Sequence, residues 1–340
     1  MAVMVVGVDV SKNTLDVAYC TERIEPALLG SFRNEAASFG SLTEAVDQQA
    51  RELGCDSVLL VAEPTGGYEQ RLACFAYEYG WQVSLPNPRQ VRQWAQGIGI
   101  RSKTDRQDAL LLAQFGRERK PSLWTPMPKD VAALSDLLDR RHDIEHMLRQ
   151  ERNRQHALQG QGRYQGAVQN SIEQTLHRLE ESLAEIERDI KGHIDQHPKL
   201  KSQAKLLRQV PGVGPKNVLP ILVLCARWSS LTDHRGSYKG LTAYVGLDPQ
   251  HYQSGRTVHK QPKISRQGNP TIRCQLFMGA LGGIRSRRSV LRQFYDRLLS
   301  AGKPKMVALV AAARKILVWS WAVYRHQVPF APALARARNL

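Results

Sequence analysis

Two short apolar runs, Met4-Val5-Val6-Gly7-Val8 and Val58-Leu59-Leu60-Val61-Ala62, read as buried strands. Residues 3–8 and 15–19 form neighbouring strand patterns joined by a turn around Ser11-Lys12-Asn13, and residues 82–85 give a later strand. Helical patterns occupy residues 39–53 and 68–79. A hairpin start followed by strand–helix units predicts a mixed α/β sheet flanked by helices over residues 1–115. The Pro- and Trp-rich stretch 121–128 then reads as a linker.

Both buried strands end in acids. Asp9 follows the first and Glu63 the second, at positions where a sheet presents side chains to a cleft. A second acidic pair, Asp105 and Asp108, opens a stretch of strong helix propensity at residues 109–113. Carboxylates three residues apart on one helix face have Cβ atoms about 5 to 6 Å apart and repel unless a cation sits between them. Taken singly, each acid has an ordinary reading: Asp9 as a turn cap, Glu63 as a loop opener before Pro64, the Asp pair as a solvated first turn. Taken in order, strand-Asp, strand-Glu and helix-Asp-x-x-Asp describe an oxygen-only site suited to Mg²⁺ or Mn²⁺.

Beyond the linker, Val131, Leu134, Leu137, Leu138, Ile144, Met147 and Leu148 recur with helical period. The pattern resumes after a Gly-rich break at 160–166 as Ile172, Leu176, Leu179, Leu183, Ile186 and Ile190. Two long amphipathic helices joined by a loop make a helical hairpin or coiled coil, serving either as an oligomerisation arm or as a bundle core. Apolar residues then flank Pro211-Gly212-Val213-Gly214-Pro215, a tight turn between helices. As a helix-hairpin-helix element, Gly212 and Gly214 would let backbone amides approach a phosphate beside Lys216. A plain helix–helix turn is the alternative.

Charge divides the chain. Of a net +17, residues 1–248 contribute +1 and residues 249–340 contribute +16, with Asp296 the single acid of the second part. Such asymmetry predicts a polyanion-binding segment, and basic residues spread over loops and helices favour nucleic acid over a membrane surface. Ser254 stands in a loop ahead of Gly255, followed by Arg256, Lys260, Lys263, Arg266 and Arg273. A serine hydroxyl is a poor nucleophile unless activated or held against its electrophile; a phosphodiester gripped by arginines beside a metal meets that condition. Five scattered cysteines without a C-x-x-C pair argue against a disulfide framework or zinc site. With no uninterrupted apolar run of about 18 residues and no signal-peptide pattern, the sequence predicts a cytoplasmic protein.

Three motifs, Gly7-Val8-Asp9-Val10-Ser11-Lys12, Ala62-Glu63-Pro64-Thr65-Gly66-Gly67-Tyr68 and Lys103-Thr104-Asp105-Arg106-Gln107-Asp108-Ala109, resemble the acidic motifs of DEDD-type insertion-sequence transposases, relatives of the Piv DNA invertase. The resemblance continues through Val210-Pro211-Gly212-Val213-Gly214-Pro215, Tyr244-Val245-Gly246-Leu247-x-Pro249 and Gln253-Ser254-Gly255. It implies a ribonuclease H-like (RuvC-like) domain at 1–125, a coiled-coil insertion at 126–200, and a mainly helical transposase domain at 201–340 with catalytic Ser254. It further implies Mg²⁺ on Asp9, Glu63, Asp105 and Asp108, a covalent phosphoserine link, and guidance to donor and target DNA by a noncoding bridge RNA. A dimer or tetramer acting at the bacterial nucleoid completes the expectation. Lys103 and Arg106 beside the acid pair are candidate strand contacts.

Other classes compete with this reading. A metal-dependent structure-specific nuclease would use the same acids and water, leaving Ser254 structural. A non-catalytic nucleic-acid-binding protein would need only the charge. An actin-like nucleotide-binding fold could open with Gly-x-Asp-x-Ser-Lys, but it requires later Gly-rich phosphate loops that the sequence lacks.

Overall fold

The computed structural model describes residues 2–100, 105–254 and 258–331. The chain divides into two compact units, one of Met1–Pro126 with Trp228–Gly236, the other of Met127–Arg227 with Ser237–Leu340. Residues 126–200 and 201–340, separate in the sequence reading, thus belong largely to one unit.

The first unit contains β1 (Val3–Val10), β2 (Thr14–Cys20), β3 (Ala27–Arg33), α1 (Ala36–Glu52), β4 (Ser57–Ala62), α2 (Gln70–Tyr79), β5 (Gln82–Ser84), α3 (Pro88–Gly97) and α4 (Asp105–Arg119). Its five-stranded mixed sheet has the order β3-β2-β1-β4-β5. The β1–β2 and β2–β3 pairs are antiparallel, whereas β4 runs parallel to both β1 and β5. Side chains alternate between two cores, as strand geometry requires. Met4, Val6, Val8, Leu60 and Ala62 join Phe39, Leu42 and Val46 of α1 and Leu72 and Ala76 of α2. Val5, Leu59 and Val61 join Val91 and Ala95 of α3 and Ala109, Leu112, Ala113 and Phe115 of α4. Burial on both faces accounts for the unbroken apolar runs in β1 and β4.

Two elements of this unit were not expected. β3 is a largely exposed strand with a register shift against β2, so it lacks a clean alternation. α3 turns Val91, Trp94 and Ala95 to the core at helical spacing and opens on a start signal, with Pro88 in the first turn and the Asn87 side chain accepting from Arg89 N. The expected linker is also more than a linker. Trp124 is 5% exposed, packs into the first core, and donates its backbone N–H to Val83 O of β5 at 2.7 Å.

The second unit holds α5 (Lys129–Gly160), α6 (Gly166–Gln196), α7 (Pro198–Leu207), most of α8 (Val218–Leu231), α9 (Tyr238–Val245), β6 (Pro249–Ser254), β7 (Val258–Ile264), α10 (Pro270–Gly283), α11 (Val290–Ser300) and α12 (Lys305–His326). α5 and α6 pack along each other as the expected hairpin, but α6 buries only Ile172 and Ile190. α12 is the centre of the unit, with Ala308, Ala312, Ile316, Leu317, Trp319 and Trp321 buried and α7, α9, α10 and α11 around it. Among the described residues it is the one helix long and apolar enough to cross a bilayer, and 61% of its apolar window lies inside the protein.

Candidate active site

Asp9 and Glu63 are placed by the parallel ladder of β1 and β4. Val8 pairs with Ala62, so the next residues, Asp9 and Glu63, stand side by side at the carboxyl ends of two central strands. By strand alternation Asp9 shares the face of Val5 and Gly7, and Glu63 is the first residue beyond β4, whose Leu59 and Val61 line that same face. α4 covers this face at very short range. A Cβ on Gly7 would lie 2.9 Å from Leu112 C and closer still to Ala109 O and Ala113 N. A Cβ on Gly116 would lie 2.6 Å from Val5 Cγ1 and 2.7 Å from Val61 Cγ2.

These contacts fix the direction of α4. Gly116 lies over Val5 and residues 109–113 lie over Gly7, so the helix runs opposite to β1. Two strand residues span about 6.6 Å, and about five helical residues span nearly the same length. One more such step brings the first turn of α4, which contains Asp105 and Asp108, to the level of Asp9. Asp108 is half-buried; the side chains of Asp105 and Arg106, and all of Lys103, lie outside the described residues. Cys20 of β2 joins the same contact by donating Sγ–H to Ala113 O at 3.2 Å, and burial pushes its thiol up to about 11.

Neighbouring residues frame the acids. Asp16 is the ladder partner of Asp9 in the antiparallel β1–β2 pair and is half-buried. Cross-strand partners have Cβ atoms about 4.5–5.5 Å apart, so a further carboxylate flanks Asp9. Asn34 donates Nδ2–H to Ser11 O at 2.8 Å and to Tyr68 O at 3.2 Å, tying the turn after β1 to the loop after β4. That loop is shaped by Glu69, 3% exposed, whose Oε2 accepts from Thr65 N at 2.9 Å and Gly67 N at 3.1 Å. Sequence reading missed Asp16, Asn34 and Glu69. For Asp16 the signal was available, since the tight Ser11-Lys12-Asn13 turn sets the hairpin register.

All four candidate ligands are carboxylates, a donor set of hard oxygens that fits Mg²⁺ or Mn²⁺. Among the described residues no three His, Cys, Asp or Glu side chains are gathered closely enough to hold a metal ion. Asp9, Glu63 and Asp108 do not make a ligand cluster by themselves, and Asp105 is the member outside that comparison.

Ser254 belongs to the second unit. It closes β6, and its ladder partner is Val258 of β7. The sequence placed it in a loop; its backbone instead ends a strand at the tip of an antiparallel hairpin. Residues 255–257, Arg256 among them, lie outside the described residues, as do the side chains of Ser254 and Lys260. The base of the hairpin is fastened by Ser265, which donates Oγ–H to Asp248 Oδ1 and N–H to Asp248 O at 3.0 Å. Arg273 Nη1 donates to the carbonyls of Val245, Gln267 and Gly268 at 3.0–3.1 Å, which gives this arginine a structural role at the hairpin base. Lys263 and Arg266 are exposed.

The Pro211–Pro215 turn differs from a phosphate cradle in two respects. Val213 N donates to Val210 O at 2.9 Å and Gly214 N donates to Asn217 Oδ1 at 2.7 Å, so both amides are already engaged. Gly212, at φ 93°, meets the backbone of α10 and the side chain of α12: a Cβ there would lie 2.8 Å from Gly279 O and against Ile316 Cδ1. The glycine serves helix packing, whereas Lys216 is exposed.

Comparison with known proteins matches both parts of the chain. A transposase family of the DEDD type found in IS110 elements matches residues 6–160, and the transposase IS116/IS110/IS902 family matches residues 204–296. The pilin gene-inverting protein of Moraxella lacunata is 34% identical over 325 residues, covering 96% of this chain and 97% of the relative. That of Moraxella bovis is 33% identical over 325 residues, with the same coverage.

Proposed function

The chain belongs to the IS116/IS110/IS902 transposase family, whose members are enzymes of DNA strand transfer, and from that premise we propose a two-part recombinase. Asp9, Glu63, Asp105 and Asp108 hold Mg²⁺ in a ribonuclease H-like domain, and Ser254 is the nucleophile. The observation that carries this reading is the position of Asp9, near the end of β1 on the face that α4 covers, and of Glu63, the residue directly after the neighbouring strand β4. A sheet order of β3-β2-β1-β4-β5 with acids ending its central strands supports the fold assignment.

Bound there, Mg²⁺ would supply positive charge to the phosphate and stabilise the charge that develops on it. The Ser254 hydroxyl gives up its proton as its oxygen bonds to phosphorus. The P–O bond to one DNA end breaks, and that end leaves as a hydroxyl after taking a proton. A hydroxyl end from the other duplex then attacks the phosphoserine, restores a P–O bond in DNA and returns Ser254 to its free form. The number of phosphodiester bonds is conserved, so no external energy source is needed. Recognition of donor and target DNA falls to a bridge RNA, leaving the protein with phosphate, sugar and shape contacts. A homotetramer brings two duplexes together.

Labelled DNA incubated with protein, guide RNA and Mg²⁺ tests this reading. Wild type should give a denaturant-stable protein–DNA adduct; Ser254→Ala and Asp9→Asn should each reduce it by at least about a hundredfold, the order expected for removal of a catalytic group. An undiminished adduct from Ser254→Ala protein removes the serine assignment. A second reading, a junction-cleaving nuclease that uses the acids and water, draws on the placement of acids and serine in different compact units. It predicts cleavage without adduct and full activity in Ser254→Ala.

A further inference from the structure

The second unit contains a groove of about 740 Å³ bounded by α6, α7 and the turn leading into α8. Its α7 wall is a row of cations: Lys201, Lys205 and Arg208 follow one another at i, i+4 and i+7 and so share one helix face. The α6 wall carries Glu187, Lys191 and Asp195, and Arg141 of α5 closes one side. Lys201 Nζ is held by Asp195 at 2.8 Å, and this contact, reinforced by Lys191, holds the Asp195 carboxyl below its usual range. Lys191, Lys205 and Arg208 make no ion pair among the described residues and are exposed. Arg141 Nε is buried without a hydrogen-bond acceptor, its neighbouring carboxylate Glu145 lying 3.7 Å away.

We infer that this groove binds a phosphodiester backbone. Five cations against two acids give it a net positive lining, and the surrounding sequence carries the same sign. Between Asp195 and Asp233 the chain has no acid but six basic residues, Lys199, Lys201, Lys205, Arg208, Lys216 and Arg227. At 1.5 Å per helical residue, the row from Lys201 to Arg208 spans about 10 Å, long enough to follow a strand past more than one phosphate. The affinity lies in side chains, since the Val213 and Gly214 amides of the adjoining turn are engaged within the protein. DNA and the guide RNA share this backbone chemistry. The inference rests on the proposed recombinase reading only in requiring a nucleic-acid partner.

The test is equilibrium binding without added metal in an Asp9→Asn background, so that failure of the proposed chemistry leaves the result readable. The full chain carrying Lys205→Gln/Arg208→Gln is compared with Lys129→Gln/Lys239→Gln, a pair of exposed lysines in the same unit outside the groove. The probes are a 30-base-pair DNA duplex and a hairpin RNA. The groove pair should weaken binding about tenfold at 0.1 M salt. It should also lower the slope of log K against log salt by roughly two, at about 0.9 for each B-DNA phosphate left unneutralised and somewhat less on single strands. Weakening confined to the duplex assigns the groove to DNA; weakening confined to the hairpin assigns it to RNA. Equal effects from both pairs, or no effect from the groove pair on either probe, overturn the inference. So does a fall in oligomeric mass by light scattering with binding intact, which would assign the groove to a second copy of the chain.

Discussion

Among the glycines near the candidate site, Gly7 has the least room for a side chain. A Cβ added there would meet the backbone of α4 at Ala109, Leu112 and Ala113, and backbone cannot yield as a flexible side chain can. Gly7→Ala should therefore push α4 off the sheet, destabilise the protein by about 1–3 kcal/mol, and displace the first turn of α4 that brings Asp108 towards Asp9. Thermal unfolding measures the first effect and strand-transfer assays the second; an unchanged melting midpoint would show that the helix has more freedom than the close approach implies. The placement of Asp9 and Glu63 at the ends of β1 and β4 was legible in the sequence, because an acid that closes an apolar strand is chemically conspicuous. Gly7 and Gly116 were not, since a glycine required by packing between distant elements looks like any other glycine until that packing is seen. Glu69 escaped for a related reason: its importance comes from two amides of a loop, Thr65 N and Gly67 N, that only the fold brings to its carboxylate.

Elements with a strong pattern were readable. β1, β2, β4 and β5, α1 and α2, and the long α5–α6 pair all announce themselves by periodicity and by the turns between them. β3 did not, because it buries too little apolar surface to leave a periodic trace; α3 does carry one, in Val91, Trp94, Ala95 and Ile98 at helical spacing, but it is short and set among polar residues. The segment at 121–128 misled in the opposite direction: its prolines suit a linker, but Trp124 enters the core beside β5. Trp124→Ala should accordingly cost about 3–5 kcal/mol, the range for removing a buried aromatic side chain. Chemical denaturation checks this, and a cost near zero would return the segment to linker status. The strand that Ser254 closes leaves little signature in the sequence, because β6 and β7 are short and mostly polar, with too few apolar residues to alternate.

For the whole molecule, charge was the most legible property and domain organisation the least. A sum over residues finds the basic C-terminal third, and a run without acids such as 196–232 is visible in the same way. No local property shows that residues 228–236 leave the helical unit and complete the first. There Ser230 O accepts from Thr125 N at 3.0 Å, Ser230 Oγ donates to Thr125 O, and Leu231 packs against the first core. A fragment ending at Pro126 should thus unfold at lower temperature than one to which residues 228–236 are joined by a flexible tether; equal midpoints would show the returning segment to be dispensable. The chain crosses between the units three times, after Pro126, Arg227 and Gly236. A single breakpoint in the gene that keeps the first unit whole must therefore fall after Gly236 and carry residues 127–227 of the second unit with it.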